Sequence, residues 1–181
     1  MNARQQFVGQ SVLRREDARF LTGVGQYTDD ITLHGQTYGV FLRSPHAHAR
    51  ITSMSTATAA AAPGVLDIFT GEHFKDIPGL PCGWGINNID GTPMKEPKHP
   101  VLAGYVGAKV RYVGDRVALV VAETMEQAKA AALLIEVGYD VLPAVIDLAS
   151  VNSVASQVHD DAPDNRCYRW QIGDKDGTDA A

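Results

Sequence analysis

Six histidines suggest a metal site, and two of them stand two positions apart. His46 and His48 fall in a segment that reads as extended, where alternate side chains share a side, so both imidazoles could bind zinc or copper. A tetrahedral site needs two more ligands, and His34, His73 and His99 belong to separate turns without ligand spacing. The pattern favours loop or packing histidines and predicts no metal-binding residue.

A glycine pair near the N-terminus is the candidate for a phosphate-binding loop. Gly23 and Gly25 match the first two glycines of a dinucleotide fingerprint, but Thr28 stands where the third should be. No strand clearly precedes the pair, and no P-loop Lys-Ser or Lys-Thr follows it. The spacing therefore favours a plain turn.

Two pairs of neighbouring carboxylates, Glu16-Asp17 and Asp29-Asp30, could supply a general acid and a general base. Adjacent side chains in a strand or turn diverge, however, and caps or turn bonds account for Asp equally well. The chain also lacks a G-x-S-x-G elbow, an H-E-x-x-H motif and a cysteine beside a histidine. The sequence therefore predicts no catalytic and no cofactor-binding residue.

Three aromatic residues, Trp84, Tyr105 and Trp170, could stack on a ligand or a partner, although packing is the commoner role of such side chains. The two cysteines, Cys82 and Cys167, lie far apart, so neither a disulfide framework nor a zinc ribbon is supported. We expect two reduced thiols in a reducing compartment.

Composition excludes several classes of protein. A chain of 181 residues, 45% hydrophobic and 20% charged, suits one soluble domain with a tail. The net charge of −5, without clustered Lys or Arg, argues against a nucleic-acid partner. Because no signal-peptide core and no run of roughly 20 apolar residues is present, we expect a cytoplasmic protein without a membrane span.

The elements that must position these residues are clearest in the block 110–145, which reads as strand, helix and strand. Val117, Leu119 and Val121 stand in an almost wholly apolar run, typical of a strand covered on both faces. We expect these three side chains in the core. A second strand is predicted over residues 134–139.

The helix between those strands begins at Thr124, with Gln127 at the spacing of a capping box. Apolar side chains then recur at helical spacing, namely Met125, Ala128, Ala131, Ala132 and Ile135. Such a small packing face needs a sheet to lie on, so the block predicts a mixed α/β layer.

The first half of the chain carries a similar strand–helix–strand unit. The predicted elements are strands over 36–43, 49–54 and 65–70, a helix over 57–62 that Ser55-Thr56 can cap, and helical turns over 16–21 and 72–76. Extended structure is expected over 101–112.

Two segments lack the hydrophobic periodicity of a helix or a strand. Residues 77–100 are rich in Pro, Gly and Asn, and a segment of this length without regular structure is usually functional or laid against a partner. We therefore interpret residues 77–100 as an interface. We expect this segment and the acidic end after residue 151 to be mobile in the isolated chain.

Two long stretches resemble one protein family. Residues 9–31, GQSVLRREDARFLTGVGQYTDDI, resemble the opening of the large, molybdopterin-binding subunit of the molybdenum hydroxylases: xanthine dehydrogenase, aldehyde oxidase and especially aerobic carbon monoxide dehydrogenase. The second stretch runs from YVGD at 112–115 to YDVLP at 139–143. RSPHAHARI at 43–51 and PGV at 63–65 are similar to the connections of that family.

Two positions depart from the family pattern. Ser55 stands where Asp is usual, and Arg116 replaces a common proline. Both changes are mild, because Ser still caps a helix and Arg restores a backbone donor that Pro lacks.

The resemblance implies an α+β fold, the α/β-hammerhead, with a mixed sheet, two strand–helix–strand units and an irregular Pro/Gly-rich segment. It implies a hammerhead domain over 1–150 and, over 151–181, a polar acidic tail that starts the linker to cofactor-binding domains. The catalytic and cofactor residues of the family map onto no residue here. The complete enzyme would carry a molybdopterin dinucleotide molybdenum cofactor, with iron–sulfur clusters and FAD on partner subunits.

The leading hypothesis is therefore a scaffold and docking domain of a molybdenum-dependent oxidoreductase, without its own active site. Its partners would be the molybdopterin-binding domains and the iron–sulfur subunit or domain of the same enzyme. Two alternatives stay open: a stand-alone interaction or regulatory module and, less favoured, a small metal-binding protein that uses His46 and His48.

Overall fold

The computed structural model describes residues 8–79, 85–97, 99–149, 151–152 and 157–181, so Cys82 and Trp84 lie outside the described residues. The chain divides into two compact units, Met1–Gln36 and Thr37–Ala181. In the part described, no helix combines the length and the apolar character that crossing a membrane requires. The predicted boundary near residue 150 stays a prediction.

The first unit contains helix α1 (Asp17–Leu21) and a 3-10 turn (Thr28–Asp30). Gly23 follows α1 with φ +74°, a backbone conformation that favours glycine. The predicted helical turn ended by a glycine is confirmed. Phe20 and Tyr27 stack with ring centroids 5.5 Å apart.

The second unit holds six strands and three helices in its described residues. They are β1 (Tyr38–Arg43), β2 (Ala49–Ser55), α2 (Ala57–Ala60), β3 (Val65–Thr70), β4 (Lys109–Val110), β5 (Arg116–Ala122), α3 (Met125–Ala132), β6 (Glu136–Val141) and α4 (Lys175–Asp179). The turns Gly71–Phe74 and Pro163–Asn165 are 3-10. The α+β class with two strand–helix–strand units is confirmed.

The strands form two three-stranded sheets, ordered β1-β5-β3 and β4-β2-β6, in which every pairing is antiparallel. The single mixed sheet expected from the sequence is thus replaced by two antiparallel ones. A parallel pair requires the crossover to return to its own sheet. Here the segments β2-α2-β3 and β5-α3-β6 each carry the chain from one sheet to the other.

Strand β5 contributes to both hydrophobic clusters of the core. Ala118 and Val120 pack with alanines of α2 and α3, whereas Val117 packs with Ile51 and Val110 of the second sheet. Val117 is fully buried as predicted, but Leu119 and Val121 are only partly buried. The helices cover the opposite face of the strand, so the prediction of those two as core residues is wrong. Complete burial of a side chain such as that of Val120 contributes about 1.5–3 kcal/mol.

Local signals account for the start of α3. The Gln127 N–H donates to Thr124 Oγ1 at 3.2 Å, and Gln127 Oε1 accepts from the Thr124 N–H at 3.0 Å, which confirms the capping box. Thr56 makes no side-chain capping bond, and helix α2 ends at Ala60, two residues earlier than expected. There the Ala62 N–H bonds to the Ala59 carbonyl at 3.1 Å, three residues back, so the last turn tightens and the helix stops.

Two strand predictions need correction. The second strand of the 110–145 block begins at Glu136 and not at 134, because the chain turns first and the Leu134 N–H still donates to the Ala131 carbonyl at 3.0 Å. Residues 101–112 form mainly turns, and only Lys109–Val110 is a strand. The Ala103 N–H bonds to the Arg116 carbonyl at 2.8 Å and holds this segment against the start of β5.

Candidate docking surface and polar network

The two histidines of the candidate metal pair make separate contacts. His48 is 3% exposed, and its Nδ1–H donates to the Pro143 carbonyl at 3.0 Å. The His46 ring lies edge-on to the Tyr139 ring, with centroids 4.9 Å apart. Among the residues that the structure describes, no group of three His, Cys, Asp or Glu side chains comes together as a metal site would require.

The other histidines lie in different surroundings. His34 is exposed, and His73 Nδ1 accepts from the Thr70 N–H at 3.0 Å, which closes the 3-10 turn after β3. His99 Nε2–H donates to the carboxylate of Asp115 at 3.0 Å. His99 therefore belongs to a polar network around Asp115, which no sequence motif indicated.

The acidic pairs and the glycine pair of the first unit have local roles. The Asp30 carboxylate accepts from the Tyr27 N–H at 2.9 Å, so it closes a turn. Asp17 lies in the first turn of α1 and Glu16 precedes it, while Asp29 is exposed. A carboxylate in a first turn also interacts favourably with the partial positive charge there.

A buried carboxylate is the centre of the polar network. Asp115 is 1% exposed and accepts hydrogen bonds from His99 at 3.0 Å and from the Arg111 N–H at 2.9 Å. Burial alone would raise the pKa of Asp115, but these bonds, the charge of His99 and the Arg116 N–H outweigh burial and lower the pKa. A carboxylate with these partners stays ionised, as burial of a charge requires.

The same network ties the start of β5 to the loop after β1. The Ser44 N–H donates to the Asp115 carbonyl at 2.8 Å, and the Gly114 N–H donates to the Ser44 carbonyl at 2.8 Å. Burial raises the pKa of Tyr139, the charge of Asp115 adds to that rise, and a hydrogen bond with Ser44 opposes it. These contacts connect residues of both sheets.

The region after residue 157 attaches beside this network. Arg111 Nε–H donates to the Val158 carbonyl at 3.3 Å, and Lys109 forms an ion pair with Asp160. Burial and then the charge of Arg111 lower the pKa of His159, whose ring lies 6.4 Å from that of His99. This end of the chain therefore packs on β4 and on the residues that follow it.

The last part of the chain also pairs with the irregular segment. The Ile89 N–H donates to the Arg169 carbonyl at 3.0 Å, the Lys95 N–H to the Cys167 carbonyl at 2.8 Å, and the Arg169 N–H to Asn88 Oδ1 at 2.7 Å. The two segments in which sequence indicated no regular structure thus support each other. Their mobility stays a prediction.

Between these paired segments lies a groove of about 620 Å³, which we call the tail groove. Its described lining is formed by residues 85–89 and by Tyr168, Trp170, Gln171 and Gly173. Trp170 is 59% exposed and Tyr168 is 44% exposed. An exposed aromatic surface of this kind is typical of a contact with another domain or ligand.

The chain is similar to known proteins in both sequence and structure. The family model described as the aldehyde oxidase and xanthine dehydrogenase a/b hammerhead domain matches residues 22–143. The chain is 37% identical to the carbon monoxide dehydrogenase large chain of Afipia carboxidovorans, over 92% of this chain and 21% of that protein. It is 36% identical to the nicotine 6-hydroxylase large subunit of Paenarthrobacter nicotinovorans, over 93% of this chain and 20% of that subunit.

Two solved structures show the same fold. Quinoline 2-oxidoreductase from Pseudomonas putida 86 superposes with a TM-score of 0.69 at 39% identity, over 82% of this chain and 18% of that one. Reconstituted CO dehydrogenase from Oligotropha carboxidovorans gives a TM-score of 0.73 at 34% identity, over 95% of this chain and 22% of that one. The chain spans about one fifth of the length of these relatives.

Proposed function

Because the chain belongs to the aldehyde oxidase and xanthine dehydrogenase hammerhead family, we propose that it is the scaffold and docking domain of a molybdenum-dependent oxidoreductase. In this proposal the chain has no active site of its own. It supports and contacts the cofactor-binding domains and the iron–sulfur subunit or domain of the same enzyme. The complete enzyme oxidises or hydroxylates a small molecule at molybdenum, with FAD on a further partner.

The docking role is supported mainly by the exposure of one aromatic side chain. Trp170 lies in the tail groove and is 59% exposed to solvent. Complete burial of an aromatic side chain removes roughly 150–250 Å² of surface from water, so a protein that covers the groove gains affinity there. The groove also presents the amides of Asn87 and Gln171, which can donate to and accept from a partner backbone.

The tail groove does not fit the molybdenum cofactor that the family implies. A dinucleotide form carries phosphates, which proteins hold with cationic side chains or with glycine-rich backbone at a helix N-terminus. The described lining of the tail groove contains no Lys or Arg. In this proposal, residues of the tail groove therefore take part in no step of the reaction.

Metal analysis of the purified 181-residue chain tests the absence of an active site. We expect less than stoichiometric molybdenum and no turnover of an aldehyde, a purine or carbon monoxide. Stoichiometric molybdenum cofactor together with turnover in the isolated chain would overturn the scaffold proposal.

A co-purification assay tests the docking role. The tagged chain is coexpressed with the cofactor-binding polypeptide and the iron–sulfur subunit of its own source, and their recovery is quantified for Trp170→Ala. Leu133→Ala is the matched control, because Leu133 is also a highly exposed apolar residue but lies at the end of α3. We expect Trp170→Ala to reduce recovery and Leu133→Ala to leave it unchanged. If the unmodified chain recovers neither partner, the chain acts instead as an independent interaction module.

A further inference from the structure

A second, smaller cavity of about 320 Å³ lies beside the polar network, and we call it the basic pocket. Its polar lining includes Lys75, His99, Tyr105 and Arg111. No carboxylate belongs to its described lining. The pocket therefore combines a concave surface with two side chains that are cationic at neutral pH.

The guanidinium of Arg111 is fixed in place without being neutralised by a hydrogen-bonded carboxylate. Its Nη1–H donates to the Lys109 carbonyl at 3.0 Å and its Nε–H to the Val158 carbonyl at 3.3 Å. Both acceptors are uncharged, and Nη2 makes no hydrogen bond within the described part of the chain. The neighbouring Asp160 is paired with Lys109. A rigid guanidinium with free N–H groups is well suited to an oxyanion.

The other polar groups of the pocket can add to the same interaction. His99 is oriented by its bond to Asp115, so its Nδ1 donates to a carboxylate only when the ring is protonated. Lys75 Nζ lies 5.2 Å from the centroid of the Tyr105 ring, which places the ammonium at the wall of the pocket. Its ion pair with Glu72 is about half exposed, and such pairs contribute little.

The rest of the wall is apolar. Phe74, Ile77, Pro78 and Pro100 line the pocket beside the polar groups. A volume near 320 Å³ is at the lower end of the range of about 300–1,000 Å³ for small-molecule sites. The ligand that fits this wall has a small apolar body as well as a negative charge.

We propose that the basic pocket binds a small organic carboxylate, with the carboxylate on Arg111 and Lys75 and the apolar body against Phe74 and the prolines. This inference is independent of the docking role. The carboxylate can belong to a free small molecule or to an acidic side chain of another domain of the enzyme, and the shared chemistry is the oxyanion.

Titration of the 181-residue chain with benzoate, followed by NMR chemical shifts and by calorimetry, tests the proposal. Benzamide has the same shape without the charge and serves as the ligand control. We expect benzoate to bind, benzamide to bind at least about tenfold more weakly, and Arg111→Gln to weaken benzoate at least about tenfold, because hydrogen bonds to charged groups are the strong ones.

The Arg111 variant also loses two hydrogen bonds to backbone carbonyls, so a second variant is needed that leaves such bonds intact. Lys75→Met serves this purpose, because Lys75 is exposed and makes no hydrogen bond to the backbone among the described residues. We expect it to weaken benzoate severalfold, and Lys129→Met, an exposed lysine of α3, to change nothing. Absence of benzoate binding, equal binding of benzamide, or full affinity in Lys75→Met and Arg111→Gln would overturn the proposal.

The same titration on the assembled complex distinguishes the two sources of the carboxylate. Undiminished benzoate binding supports a free small molecule as the ligand. Loss of binding on assembly, restored when the partner is removed, supports an acidic side chain of another domain. Neither result changes the outcome expected for Trp170→Ala in the docking assay. The carboxylate-binding proposal and the docking proposal can therefore be refuted independently of each other.

Discussion

Replacement of Asp115 by asparagine tests how far the buried carboxylate holds the two sheets together. The two side chains have nearly the same shape, so packing is preserved while the negative charge is lost. The carboxylate now accepts from His99 at 3.0 Å and from the Arg111 N–H at 2.9 Å, through different oxygens. An amide has only one acceptor oxygen, so either one of these donors loses its partner or His99 moves its proton to Nδ1 and accepts from the amide; the bonds to a charged acceptor are lost in both cases.

The expected cost follows from those two contacts. A hydrogen bond to a charged group contributes about 1.5–3 kcal/mol, and a buried donor left unsatisfied costs about 1–3 kcal/mol. We therefore expect Asp115→Asn to lower the free energy of unfolding at pH 7 by at least about 2 kcal/mol, or the melting temperature by roughly 4–8 °C for a chain of this size. Urea denaturation followed by circular dichroism measures the change.

The pH dependence provides an independent check. The pKa of Asp115 lies below its ordinary value of 3.8 in the folded chain, so its contribution is complete above that value and is lost as the pH falls further. The difference between the two proteins should shrink below pH 4. Asp76→Asn at an exposed turn is the matched control. If Asp115→Asn costs no more than this control at pH 7, the carboxylate does not stabilise the fold.

Three further substitutions test other parts of the structure. Gly104→Ala places a Cβ against the Val117 carbonyl oxygen and should cost about 1–3 kcal/mol by urea denaturation, whereas Gly85→Ala, with open space around its Cβ, should cost far less. Burial and the charge of Arg111 lower the pKa of His159 below 6.5, so the unfolded chain protonates first and stability falls as the pH drops below 6.5. His159→Gln should reduce the loss of melting temperature between pH 7 and pH 5, and an unchanged pH profile would refute that origin. Thr124→Ala removes the cap of α3 and should cost about 1 kcal/mol in the same urea assay, with Thr124→Ser close to the original protein.

Local chemistry made much of the fold predictable. Strand β3 was expected over the residues that form it, and the bonds between Thr124 and Gln127 appear where the capping-box spacing placed them. These signals lie within a few residues of one another, so one sequence contains them completely. The division into two sheets was not predictable in this way, because the destination of each crossover depends on pairing between distant strands.

The polar network was missed for the same reason, whereas residues 77–100 and Trp170 were each indicated as contact surfaces but not as two sides of one groove. His99 and Asp115 are separated by 16 positions and follow no motif, and Ile89 bonds to Arg169 across an even longer stretch. The almost wholly apolar run of β5 indicated burial on both faces, but not that Leu119 would lie between Phe41 and Phe69 on the less covered face. Burial there is decided by the position of α2 and α3. The periodicity of the β5 sequence does not indicate where these two helices lie.

The central place of β5 has a consequence for synthesis on the ribosome. Within the described part of the chain, β1 and β3 pair in the first sheet with β5 alone, and the partners Phe41 and Leu119 are 78 positions apart. At about 5–20 residues per second, β1 waits roughly 4–16 s before its partner is made. During that interval the unpaired backbone edges of β1 and β3 are open to association with other nascent chains.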